Sequence, residues 1–140
     1  MKKRVLILCT GNSARSQMAE GLLRHDRGGE FDVESAGSKP SVVRPEAIQV
    51  MREIGIDISG HRSKHLDEFV GQNFDYVLTL CQGANESCPI FPATKRIHRS
   101  FEDPPPLSVG SEGERLAIFR LVRDQIREYL KFFPNGQRAS

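Results

Sequence analysis

Four apolar residues in a row, Val5-Leu6-Ile7-Leu8, run directly into Cys9 and then into a helical periodicity from about Ala14 to His25. A short continuous apolar run marks a strand buried on both faces, and such strands belong to parallel sheets covered by helices. Ala14, Met18 and Leu22 recur four apart, which gives the following helix one apolar stripe. Gly28-Gly29 ends it.

The rest of the chain repeats the alternation. Phe31 to Ser35 reads as a second strand, closed by Ala36-Gly37. Pro45 suits the first turn of a helix carrying Ala47, Ile48, Met51 and Ile54, stopped by Gly55. Ser63 is a candidate cap for a short helix through Leu66, Phe69 and Val70. Phe74 to Leu80 reads as a strand with Cys81 at its C-terminal end, and Lys95 to His98 as a weaker strand at an edge. Ser111 and Glu114 form a capping box before a helix with Leu116, Phe119, Val122, Ile126 and Leu130 on one stripe. Pro134 ends that helix, and residues 135–140 are expected to fray. The expectation is an α/β fold, a parallel sheet with helices on both faces, in a single domain over residues 1–140. Ligands of such sheets bind beyond the carboxyl ends of the strands, where Cys9 and Cys81 both fall.

Composition removes several classes of function. A formal charge of +2 is too small to argue for nucleic acid or a membrane surface, though it suits an anionic substrate. No apolar stretch approaches membrane-spanning length, and Met1-Lys2-Lys3-Arg4 with its short apolar run is no signal peptide. The reading is cytoplasmic. Three cysteines, Cys9, Cys81 and Cys88, are not a structural disulfide framework, so reactive or merely buried thiols remain.

The segment Cys9-Thr10-Gly11-Asn12-Ser13-Ala14-Arg15-Ser16 is a Cys-x5-Arg signature between strand and helix. A loop entering a helix N-terminus aims backbone N–H groups at one spot, and the helix dipole adds partial positive charge. Gly11 allows close backbone approach and Asn12 tolerates a left-handed conformation. Arg15 offers a planar fork for two oxygens of an oxyanion. A positive environment of this kind favours a nucleophilic thiolate at Cys9, to which Ser16 can donate. The loop lacks the Gly-Lys-Ser/Thr ending of a nucleotide-binding loop.

Two further features stay open on residues alone. Asp103, before Pro104-Pro105-Pro106, is either a turn former or an acid held over the anion by a stiff loop, with Glu102 as the alternative acid. Cys81 and Cys88 are either incidental or a dithiol that supplies two electrons. Zinc is a poorer option, because neither Cys-x2-Cys nor suitably spaced histidines accompany them, and no metal is expected. His25, His61, His65 and His98 are scattered and read as structural or surface residues.

Seven segments together carry a resemblance over nearly the whole chain. They are Cys9 to Gly21, Ser35-Ala36-Gly37, Ile56-Asp57-Ile58-Ser59, Thr79-Leu80-Cys81, Cys88-Pro89-Ile90, Asp103-Pro104-Pro105 and Val122-Arg123-Asp124. With these the chain resembles the low-molecular-weight protein tyrosine phosphatase superfamily and, within it, the thioredoxin-coupled arsenate reductases. The resemblance implies a four-stranded parallel sheet in the order 2-1-3-4. It implies arsenate as substrate, with phosphate or sulfate as analogues, and Asp103 as general acid. It also implies a relay through Cys9, Cys81 and Cys88 that ends in a Cys81–Cys88 disulfide. Reduced thioredoxin would be the electron donor and partner of a monomer, with no cofactor. The alternative it leaves is a phosphatase acting on phosphate monoesters.

Two positions depart from relatives. Ala14 stands where many have a second loop cysteine, so no disulfide can form inside the loop and Cys81 is the natural partner of Cys9. Some relatives bind potassium through Asn, Ser and a carboxylate. Asn12 and Ser35 are kept, but Lys64 falls at the carboxylate position, so no potassium requirement is expected.

Overall fold

The computed structural model describes residues 2–82, 89–106 and 108–135. Among these residues four strands form one sheet: β1 (Lys3–Cys9), β2 (Phe31–Gly37), β3 (Tyr76–Thr79) and β4 (Lys95–His98). Their order is β2-β1-β3-β4, and every pairing is parallel. Among the described residues three α-helices accompany them, α1 (Arg15–Arg27), α2 (Pro45–Glu53) and α3 (Glu112–Leu130), with a 3-10 helix at Leu66–Phe69.

The apolar run of β1 is buried on both faces because alternate side chains enter two different cores. Val5 and Ile7 join Met18, Leu22, Val50, Met51, Phe119, Val122 and Ile126 from the three α-helices. Leu6 and Leu8 point the other way, onto Ala36, Phe69, Phe74, Val77 and Phe91. Helices therefore cover both faces unequally among the described residues, three α-helices on one and the 3-10 helix on the other.

The C-terminal ends of the central strands are level. Leu8 stands opposite both Ala36 and Thr79, and Cys9 opposite Gly37. The second strand thus runs two residues beyond Ser35. Gly37 permits this: a Cβ there would lie 2.8 Å from the Cys9 carbonyl oxygen, closer than real Cβ atoms come, and a tight 3.0 Å from Asn12 N. The third strand is shorter than the apolar run suggests, since Phe74, Asp75 and Leu80 fall outside it. Its hydrogen bonding still continues past both ends, through Asp75 N–H to the Arg4 carbonyl and Leu80 N–H to the Leu8 carbonyl, each at 2.9 Å. β4 is the exposed edge strand expected.

The capping box forms, with the Glu114 N–H donating to Ser111 Oγ at 3.1 Å and the Ser111 N–H to Glu114 Oε1 at 2.7 Å. Ser63 does not cap the short helix. His65 does, its Nδ1 accepting from the Asp67 N–H at 3.0 Å. Ser63 is held away by the anion loop, its hydroxyl donating to the Gly11 carbonyl at 3.0 Å.

Candidate active site

Residues 9–16 lie between the end of β1 and the first turn of α1. No side chain caps α1 at Ala14, and no acidic residue occupies its first turn, so no carboxylate of the helix's own first turn competes for that end. The loop carbonyls are tied outward. Thr10 O accepts from the Lys39 N–H at 2.9 Å, Gly11 O from Ser41 N–H at 3.3 Å, and Ser13 O from Arg44 N–H at 2.9 Å. Asn12 O accepts from Gln17 Nε2 at 3.1 Å. In a trans peptide the N–H of the next residue points opposite to the C=O. Turning these four carbonyls outward therefore aims the N–H groups of Gly11, Asn12, Ser13 and Ala14 toward the loop's interior.

Asn12 holds the bend in the left-handed region, at φ 47. Its amide is fully engaged: Nδ2 donates to Ser16 Oγ at 2.8 Å and Ser35 Oγ at 2.9 Å. Oδ1 accepts from the Lys64 N–H at 2.8 Å and from Gln17 Nε2 at 3.0 Å. Because Asn12 Nδ2 is a donor, Ser16 Oγ accepts there and keeps its own hydrogen for the Cys9 sulfur, 2.9 Å away. Gly11 is less demanding, as the nearest atoms a Cβ there would meet belong to side chains, Ser13 Oγ at 3.3 Å and Ser41 Oγ at 3.9 Å.

Arg15 is 3 % exposed. Its Nη1 donates to the Leu80 and Phe101 carbonyls at 3.4 Å, and its Nη2 lies 3.4 Å from Asp103 Oδ1. One guanidinium thus joins the anion loop, the end of β3 and the acid's segment. Asp103, 56 % exposed on its side chain, reaches solvent as well as Arg15, and its N–H donates to Gln82 Oε1 at 3.2 Å.

Cys9 is a buried free thiol, and Cys81 is buried and disulfide-bonded. The β1–β3 register sets Leu80 beside the end of β1, which brings Cys81 to the same sheet end as Cys9. Cys88 lies outside the described residues. Among the described residues no group of three His, Cys, Asp or Glu side chains is placed to hold a metal.

Lys64 Nζ stands 3.9 Å from Oε1 of Glu20 and of Glu34. Glu20 Oε1 also accepts from the Ser35 hydroxyl at 2.5 Å, so ammonium, carboxylate, Ser35 and Asn12 form one buried network. His61 joins it, its Nδ1 3.0 Å from Gln17 Oε1. Burial pushes its imidazole below the ordinary range, with the Glu20 carboxylate opposing. His61 had no local signal as a member of this support. Only Gln17 and Glu20, in helical register behind Ser13 and Ser16, hinted at it.

The model of one family, described as low molecular weight phosphotyrosine protein phosphatase, matches residues 4–135. The chain belongs to that family. Relatives similar to it in sequence are named for a different activity. An arsenate reductase of Halalkalibacterium halodurans is 47% identical over 133 residues, 94% of this chain and 95% of its own. A solved arsenate reductase in the phosphate-binding state superposes with a TM-score of 0.77 at 35% identity, covering 94% and 95%. A thioredoxin-dependent arsenate reductase of Corynebacterium glutamicum matches with a TM-score of 0.69 at 30% identity, over 97% of this chain and 64% of that one. Among the described residues no helix is long and apolar enough to cross a membrane.

Proposed function

We propose that this chain reduces arsenate to arsenite through a three-cysteine relay and is re-reduced by thioredoxin. The observation that carries the reading is the pairing of a free Cys9 inside an anion loop with a disulfide-bonded Cys81 at the neighbouring strand end. The sequence holds only one further cysteine, Cys88, which supports it as the other half of the redox pair. The arsenate reductases among its relatives support the same substrate, and the thioredoxin-dependent one supports the same donor.

Arsenate binds in the loop through the four inward N–H groups and Arg15. The Cys9 thiolate attacks arsenic while Asp103 gives a proton to the departing oxygen, which leaves as water. Cys81 thiolate then attacks the Cys9 sulfur. The electron pair of the S–As bond stays with arsenic, arsenite leaves, and a Cys9–Cys81 disulfide forms. Cys88 attacks Cys81, restoring the Cys9 thiolate and leaving Cys81–Cys88. Thioredoxin supplies two electrons and two protons to reopen it. Thiol chemistry of this kind suits the reducing cytoplasm, and the chain works as a monomer without a bound cofactor.

A second reading is a phosphatase, since Cys9, Arg15 and Asp103 suffice for a phosphocysteine route. The cysteine variants separate the two. Cys9→Ser abolishes both activities. Cys81→Ser retains phosphate ester hydrolysis but stops arsenite release, and Cys88→Ser halts after one turnover with Cys9 joined to Cys81. Multiple-turnover arsenate reduction by both the Cys81 and Cys88 variants, with thioredoxin as sole reductant, overturns the relay in favour of the phosphatase.

A further inference from the structure

Asp103 lies on the segment between β4 and α3, and that segment is tied at two places to one buried carboxylate. Glu46, in the first turn of α2, is 4 % exposed. Its Oε2 accepts from Arg44 Nη2 and from Arg115 Nε, each at 3.1 Å, and its Oε1 from Arg44 Nε at 3.3 Å. Each arginine has donors left over, and both point them at the same segment. Arg44 Nη2 donates to the Pro105 carbonyl at 3.0 Å, two residues past Asp103. Arg115 Nη1 donates to the carbonyls of Val109 at 3.3 Å and Gly110 at 2.8 Å, just before α3 begins.

Arg44 also belongs to the anion loop's frame. Its backbone N–H is the donor that turns the Ser13 carbonyl outward, and its guanidinium packs over the Phe119 ring at 5.0 Å. One residue therefore fixes the loop by its backbone and the acid's segment by its side chain. Burial drives the Glu46 carboxyl up, but its backbone hydrogen bond and the two arginines outweigh that and hold it below the usual carboxylate range. Pairing a buried carboxylate with two half-buried guanidiniums is a poor way merely to join two helices, because desolvation offsets most of the attraction. It is an effective way to fix geometry, since planar guanidinium forks accept few arrangements.

We infer that Arg44, Glu46 and Arg115 are positioning residues that hold Asp103 over the anion loop. The inference rests on the reading of Asp103 as the general acid. Single-turnover arsenite release, measured against arsenate concentration, tests both in a double-mutant cycle of Glu46→Gln and Asp103→Asn. Glu46→Gln is expected to slow the saturated rate about tenfold, as displaced catalytic groups do. The half-saturating arsenate concentration should stay within about twofold, because the loop N–H groups and Arg15 are untouched. In the Asp103→Asn background Glu46→Gln should add almost nothing. Arg115→Met runs the same cycle should the Glu46 variant fold poorly by circular dichroism, and Arg115→Lys should recover only part of the rate. Equal losses in both backgrounds, or a loss confined to arsenate affinity, overturn the inference and leave Asp103 in place. An unchanged rate in Asp103→Asn alone removes the acid, and the inference with it.

Discussion

Arg15 reaches two carbonyls and a carboxylate at 3.4 Å from the two ends of its fork, so a lysine in its place would keep the charge and lose the geometry. Arg15→Lys is expected to raise the KM for arsenate at least about tenfold, equivalent to ~1.4 kcal/mol of binding. Kinetics near those of the unmodified chain would mean that the anion sits elsewhere. Lys64 makes a different prediction. Its ammonium, 3.9 Å from Glu20, is a counter-charge supplied by the chain itself. Activity and melting temperature should be alike in potassium and sodium salts at equal ionic strength, and a potassium-specific rise in either would show that an outside cation is still required.

The third helix begins at a reciprocal cap, and removing one half of it should be felt along the whole element. Ser111→Ala leaves the Glu114 N–H without its acceptor, a loss of about 1 kcal/mol for caps of this type, read as a fall of about 4 °C in Tm. An unchanged Tm would mean that solvent serves that N–H equally well. This cap, the two-sided burial of β1 and the apolar stripe of α3 were legible in the sequence because each is encoded within a few neighbouring residues. So was the anion loop, where the Cys-x5-Arg spacing, the preceding strand and the following helix agree. Features set by distant partners were not. β2 reaches Gly37 because the Cys9 backbone packs against it, and Ser63 serves Gly11 rather than the helix after it. Nor is there a local signal at Arg44, Glu46 and Arg115, since nothing nearby in sequence says that three ionic side chains will be brought together under a loop.

The helical layer is cross-linked by carboxylates, and acid should loosen it in two stages. Asp26 of α1 holds Arg127 of α3, while Glu53 of α2 holds Arg120 and Arg123 of the same helix. Burial raises the Asp26 carboxyl, but Arg127 and His25 outweigh it and hold it low, and Glu53 is held low chiefly by its hydrogen bond to Arg120. A group held low when folded contributes stability above its unfolded pKa and loses it as pH falls through the folded value. His61 follows the same sign, because the unfolded imidazole takes up a proton first while the buried one resists. Urea midpoints should therefore decline modestly from about pH 7.5 to about pH 5 through His61, then steeply below about pH 4 through the carboxylates. His61→Gln should flatten the upper stage alone, and a midpoint that rises on mild acidification would contradict the assignment. Among the described residues the sheet also has an open side at β4, four residues long and bearing Lys95 and Arg96, with Arg99 beyond. Short length and positive charge are what stop an unpaired edge from templating another chain. Two copies approaching edge to edge set those charges against their own images. That protection is electrostatic, so it shrinks as the Debye length falls from about 10 Å at 0.1 M salt to about 3 Å at 1 M. Concentrated brine should promote clustering of this protein where it would disperse one joined by opposite charges, and light scattering across a salt series reads the difference.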